Sequence, residues 1–219
     1  MKDSKIHLSE AELNLACNAE IILTKNTIIK KTIALLQTLQ EAMTIEKQSN
    51  VFTNKLFSVS PKISKGENYE GLPYVIMDYP AYFSKENIFA IRTMFWWGNF
   101  FSVSLHLSGG NFRFNNELDK QLSYLKEKAF FICVNESQWQ HSFDPSNYNS
   151  AFLLDNKKYY EILERDFFKI SKKIEVDEWD NVPGFLEKTF EEIIEFVKIS
   201  FPGGGKDLLP VSPKGGFDL

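Results

Sequence analysis

Residues that usually carry chemistry are scarce in this chain. Of 219 residues only two are cysteine and three are histidine. Cys17 and Cys133 lie far apart within apolar segments, which predicts two reduced, buried thiols rather than a disulfide framework or a reactive nucleophile. His7, His106 and His141 miss the i, i+4 and short-loop spacings of a zinc site, so no metal is expected. There is no G-x-S-x-G nucleophile turn. Gly203-Gly204-Gly205-Lys206 offers glycine amides and a lysine, but Asp207 stands where a phosphate loop needs Ser or Thr, and the run follows a helix instead of a strand. Positive charge is not in excess either: 25 Lys and Arg against 29 Asp and Glu leave a net charge of −4, which argues against general nucleic-acid binding. No apolar run approaches the roughly eighteen residues of a membrane helix, and MKDSKIHLSEAEL lacks the apolar centre of a signal peptide. These absences predict a soluble, cytoplasmic chain with no cofactor, no membrane partner and no nucleic-acid partner.

What is abundant is core material. The chain is 43% hydrophobic and has twenty phenylalanines, and at this length it can bury a sizeable core without disulfides or metal. The richest stretch is Ile88 to Leu107, IFAIRTMFWWGNFFSVSLHL, divided by Gly98-Asn99. A two-residue Gly-Asn connection fits a tight hairpin turn. Pairing Trp97 with Phe100 then sets Arg92 opposite Leu105 and gives one apolar face: Ile88, Ala90, Arg92, Met94 and Trp96 beside Phe101, Val103, Leu105 and Leu107. Arg92 is the odd residue there, because a buried guanidinium needs a carboxylate or several carbonyls. Asp78, ending the apolar run Tyr74-Val75-Ile76-Met77, is the nearest acid. A one-residue bulge at the turn would exchange the faces of one strand relative to the other.

Around this hairpin the other elements follow from period and punctuation. Leu8-Ser9-Glu10-Ala11-Glu12-Leu13 carries a capping box and a hydrophobic staple, so a helix should begin at Glu10. Ile22, Ile29, Leu36 and Met43 recur every seven residues and extend the stripe to about Ile45, as one helix or as two broken at Thr24-Lys25-Asn26-Thr27. Strands are predicted at Lys55–Ser60, at Tyr74–Tyr79 closed by Pro80, at Ala129–Val134 and at Phe167–Val176. Between the first two lies a turn-rich segment, Lys62 to Leu72. Helices are predicted at Asn116–Lys128, Lys157–Arg165 and Pro183–Ile199, the last with Leu186, Phe190, Ile193 and Val197 inward. Asn135–Ser150 reads as a long loop with aromatic anchors, a kind of segment that often carries function. The expected fold is α+β: residues 1–200 form one domain, an antiparallel sheet of five or six strands with the N-terminal helical segment and the C-terminal helix packed on it. Residues 201–219 are a Gly/Pro-rich tail docked on that domain.

For function, Arg92 and Asp78 with Tyr79, Tyr82, Trp96, Trp97 and Trp139, and with His106 and His141, form the candidate ligand-binding set. Aromatic walls around one fixed charge describe a pocket for a small anionic or planar ligand. The plainer alternative is an aromatic core with an internal Arg–Asp pair. The primary functional expectation is a non-catalytic binding or interaction module. The alternative is a hydrolase or transferase with His106 or His141 as base and Arg92 holding an anion. A structural subunit that forms a homodimer through the N-terminal stripe or the tail is a further expectation. The carboxylates Glu187, Glu191 and Glu195 read as a solvated helix face, and Asp177, Glu178 and Asp180 as a solvated turn.

Overall fold

The capping box opens the first helix. Ser9 Oγ accepts from the Glu12 amide at 3.3 Å and Glu12 Oε2 accepts from the Ser9 amide at 2.7 Å, satisfying donors that a helix start leaves open. Helix α1 therefore spans Glu10–Ala16. The computed structural model describes residues 6–46, 57–109 and 114–201. The predicted tail anchors and residues 55–56 of the predicted strand Lys55–Ser60 lie outside them, and the described remainder of that segment, 57–60, is turn and bend with no strand.

Helix α2 spans Ala19–Glu46, so the helical segment is a pair broken at Cys17-Asn18 and not at Thr24–Thr27. Asn18 Oδ1 accepts from the Glu20 amide at 3.0 Å, the local side-chain bond that lets asparagine end one helix and start another. Thr27 causes no break because its hydroxyl bonds back to the Leu23 carbonyl at 3.0 Å within the helix. Cys17, predicted buried, is exposed at this break, while Cys133 is buried.

Seven strands form one antiparallel sheet, more than the five or six expected: β1 (Lys62–Tyr69), β2 (Leu72–Phe83), β3 (Ile88–Trp96), β4 (Phe100–Ser108), β5 (Phe131–Cys133), β6 (Tyr148–Ser150) and β7 (Phe167–Glu175). Their order is β1-β2-β3-β4-β7-β5-β6. Strand β1 occupies the segment read as turns. It is an edge strand whose Lys62, Lys65 and Glu67 leave little apolar signal, and such charge protects an edge from pairing with another chain. Glu70 and Gly71, at φ 51° and 82°, make the tight β1–β2 turn. Pro80 does not close β2. The register shifts between Asp78 and Ala81, and the strand resumes opposite Ala90, because a bulge accommodates a residue with no amide hydrogen.

The central hairpin is offset by one residue from the predicted pairing. Trp96 pairs with Phe100, and Arg92 with Ser104. The turn holds three residues, with Asn99 N bonded to Trp96 O at 3.1 Å and Gly98 at φ 70°, a positive φ that glycine adopts at no steric cost. Strand β4 keeps its predicted core face of Phe101, Val103, Leu105 and Leu107. On β3 the core face is instead Phe89, Ile91 and Phe95. Arg92 thus leaves the apolar layer for the opposite side of the sheet.

Three further α-helices lie among the described residues, α3 (Leu118–Glu127), α4 (Asn156–Leu163) and α5 (Val182–Ser200), with short 3-10 turns at Ala151–Leu153 and Val176–Asn181. Helix α5 buries Leu186, Phe190, Ile193 and Val197 and leaves Glu187, Glu191 and Glu195 outside, as its period predicts. With Leu36, Leu39 and Met43 of α2 it covers the apolar face of the sheet. Full burial of each such side chain contributes about 1.5–3 kcal/mol.

Candidate functional site

The other face is built differently. Strand pairing lines up Asp78, Arg92, Ser104 and Ser171 as one transverse row across β2, β3, β4 and β7, since residues directly opposite one another share a face. The neighbouring row sets Ala90, His106 and Lys169 side by side. All of these polar side chains are buried or nearly so. What covers them is the loop from Val134 to Asn147, whose ends are joined by Val134 N donating to Asn147 O at 2.8 Å. It has the form of a compact Ω-loop closed on itself. Its apolar anchor is Phe143, stacked on Tyr148 at 4.8 Å and edge-on to Phe100 and Phe131.

Arg92 meets Asp78 in a two-pronged ion pair: Nε donates to Oδ1 at 2.7 Å and Nη2 to Oδ2 at 2.9 Å. This fork geometry is the strong form of the interaction. Its remaining nitrogen, Nη1, donates to His141 Nε2 at 3.3 Å. The His141 amide in turn donates to the Tyr69 hydroxyl at 2.8 Å. His106 Nε2 donates to Gln138 Oε1 at 2.7 Å, and Trp139 caps the imidazole edge-on at 5.4 Å. Lys169 is 1% exposed. It donates to the Gln138 carbonyl at 2.9 Å and to the Gln140 carbonyl, and lies 5.2 Å from the Tyr148 ring centre. The lysine thus ties the loop down through its backbone.

Burial sets the protonation of the cluster. It pushes the His106 imidazole down to about 4, with Lys169 and Arg92 adding to the effect. His141 is lowered well below the ordinary histidine range, by burial first and then by the same two cations. Both imidazoles are therefore neutral at pH 7. Burial also lowers Lys169, to about 8, which leaves it charged at pH 7. Two fixed cations then face one carboxylate. One donor is also left over: the buried Tyr148 hydroxyl leans toward Ser104 and Ser171 but has no hydrogen bond of its own. Ser104 and Ser171 are bonded to each other at 2.8 Å, and Ser171 donates onward to Val103 O.

Of the residues singled out from sequence, Arg92, Asp78, His106, His141 and Trp139 meet on this face. Trp96 lies at its end, against Tyr69 and Phe100. Tyr79, Tyr82 and Trp97 pack with the helix-side core instead, across the sheet from Arg92, and cannot wall a pocket around it. The reason is the odd-even alternation of β2 and the extra residue in the β3–β4 turn. Lys169, Gln138, Ser104, Ser171 and Tyr148 were missed. The signal for Lys169 was in the sequence: in FFKISKKIEV, Phe168, Ile170 and Ile174 alternate with Phe167, Lys169, Ser171 and Lys173.

Among the described residues no group of three or more His, Cys, Asp or Glu side chains is arranged to hold a metal ion, and no helix is long and apolar enough to cross a membrane. No family model, no curated protein and no solved structure matches this chain.

Proposed function

We propose that the chain is a non-catalytic binding module that takes a small anionic ligand, such as a carboxylate, on the loop-covered face of its sheet. The observation that carries this reading is the surplus of buried positive charge, Arg92 and Lys169 against Asp78 alone, beside a buried Tyr148 hydroxyl that makes no hydrogen bond. A buried cation without a counter-charge is costly, and an anion relieves that cost. Planar groups are favoured because flat rings line this face, His141 against Arg92 and Trp139 against His106. The alternative, a hydrolase or transferase with a histidine base, fits less well. The His141 Nε2 lone pair is already occupied by Arg92, and His106 Nε2 is held by Gln138. The two free cysteines support a reducing, cytoplasmic setting.

Native mass spectrometry of freshly purified protein, compared with its denatured mass, tests for a retained ligand. Titration with benzoate and with inorganic phosphate, followed by amide chemical shifts, tests the site itself. Millimolar benzoate should move the amides of residues 138–141, and Lys169→Met should abolish the shift. Because Lys169 loses its proton near pH 8, affinity should fall as pH rises through that value. No bound mass and no shift with either anion would overturn the reading.

A further inference from the structure

The N-terminal arm is helical and apolar, yet no described residue covers it. Helix α1 has no buried residue, and every large apolar side chain from Leu8 to Leu23 is 43–64% exposed. The stripe of α2 explains why this is unfinished business. Ile29, Leu36 and Met43 are buried at seven-residue spacing against the body. One repeat earlier, Ile22 occupies the same stripe and is 55% exposed. The body ends between them, where Lys25 reaches Glu67 at 2.6 Å.

We infer that this arm is the contact surface for a second copy of the chain, which pairs with it about a two-fold axis near Ile21 and Ile22. Six Leu and Ile side chains stand exposed along the arm, Leu8, Leu13, Leu15, Ile21, Ile22 and Leu23, apolar surface of the kind that a stable interface between two copies covers. Charge is segregated along the arm in the sense that such an axis requires. Glu10, Glu12 and Glu20 precede Leu23, and the exposed Lys30 and Lys31 follow it, Lys25 being already paired with Glu67. A two-fold axis between the two groups lays the acidic half of one copy over the basic half of the other, which is the self-complementarity of an isologous contact. The same three carboxylates stand against an anionic membrane as the occupant.

The full chain should run in light scattering at about twice its 25.4 kDa. Ile21→Asp with Ile22→Asp, both at exposed positions, should weaken association by about 100-fold or more while leaving the far-UV and near-UV circular dichroism unchanged. Glu10→Lys with Glu20→Lys should be monomeric alone, as should Lys30→Glu with Lys31→Glu, and a one-to-one mixture of these two variants should recover the dimer mass. A wild-type chain that stays monomeric at high micromolar concentration overturns the inference, whether or not it sediments with phosphatidylcholine vesicles. A dimer untouched by the isoleucine pair, or charge variants that fail to rescue each other, overturns it as well.

Discussion

The two faces of the sheet come from the same strands and are covered in opposite ways. On one side Phe95, Phe101, Val103, Leu105 and Ile170 meet helices α2 and α5 mostly through apolar atoms, with a single ion pair among the described residues there, Lys172 to Glu192 at 2.9 Å. On the other side Asp78, Arg92, Ser104, Ser171, His106 and Lys169 are covered by a loop that touches them mainly with carbonyls and side-chain polar atoms. Burial alone therefore does not identify a core. The helix side loses stability through cavities, because its contacts are dispersive and non-directional. The loop side loses it when a charge is left without its partner.

That contrast can be broken at Arg92 first. Arg92→Ala should cost roughly 3–5 kcal/mol in chemical denaturation, since it strands Asp78 at 11% side-chain exposure without its counter-charge. Replacing both Arg92 and Asp78 by leucine should cost far less than the single change. A double variant as unstable as the single would show that packing, not charge, governs this face. Acid comes next. His106 has its proton affinity lowered to about 4 in the folded chain, against about 6.5 unfolded. The folded state thus binds fewer protons than the unfolded state in that interval. Its stabilising contribution is complete above pH 6.5 and is lost as pH falls toward 4, by about 3 kcal/mol in all. His141 acts in the same direction. Denaturation midpoints across this range should fall in the wild type and fall less steeply in His106→Gln.

On the helix side, Ile170→Val should cost only about 0.5–1.5 kcal/mol, the value for a lost methylene in a close-packed layer, with no dependence on pH. Trp139→Ala is the smallest test. At 49% exposure the indole should matter little to global stability, under about 0.5 kcal/mol, while amide exchange in residues 136–142 should quicken as its contact with His106 is lost. Unchanged exchange would show that Lys169 alone fastens the loop.

The helix side was legible from sequence because hydrophobic period encodes it. Leu186, Phe190, Ile193 and Val197 sit where their spacing predicts, and so do Phe101, Val103, Leu105 and Leu107. The Arg92–Asp78 pair was also legible, since an arginine in an apolar strand demands an acid. What the pattern did not encode was on the loop side. The three-residue turn at Trp97–Asn99 moved Arg92 to the other face, and nothing in GN alone separates a two-residue from a three-residue connection. Strand β1 was hidden because an edge strand has no apolar face to display. The loop itself gave its anchors, Trp139, His141 and Phe143, but not their targets. Targets such as Lys169 and Ser171 come from a strand some thirty residues away, and only topology brings them underneath.

The turn between Trp96 and Phe100 also fixes how this chain tolerates insertions and deletions. Removing Gly98 shortens this connection to two residues and leaves Trp96 paired with Phe100, whereas removing a residue inside β3 or β4 forces the part of that strand beyond the deletion to turn over. If β3 turns, Arg92 leaves Asp78 for the helix layer, and Phe89 and Ile91 go under the loop. If β4 turns, four core side chains leave the helices together. Residues joining elements at the surface usually accept changes in length, so in a scan of single-residue deletions positions 93–95 and 101–103 should stand out sharply against the tolerant turn between them.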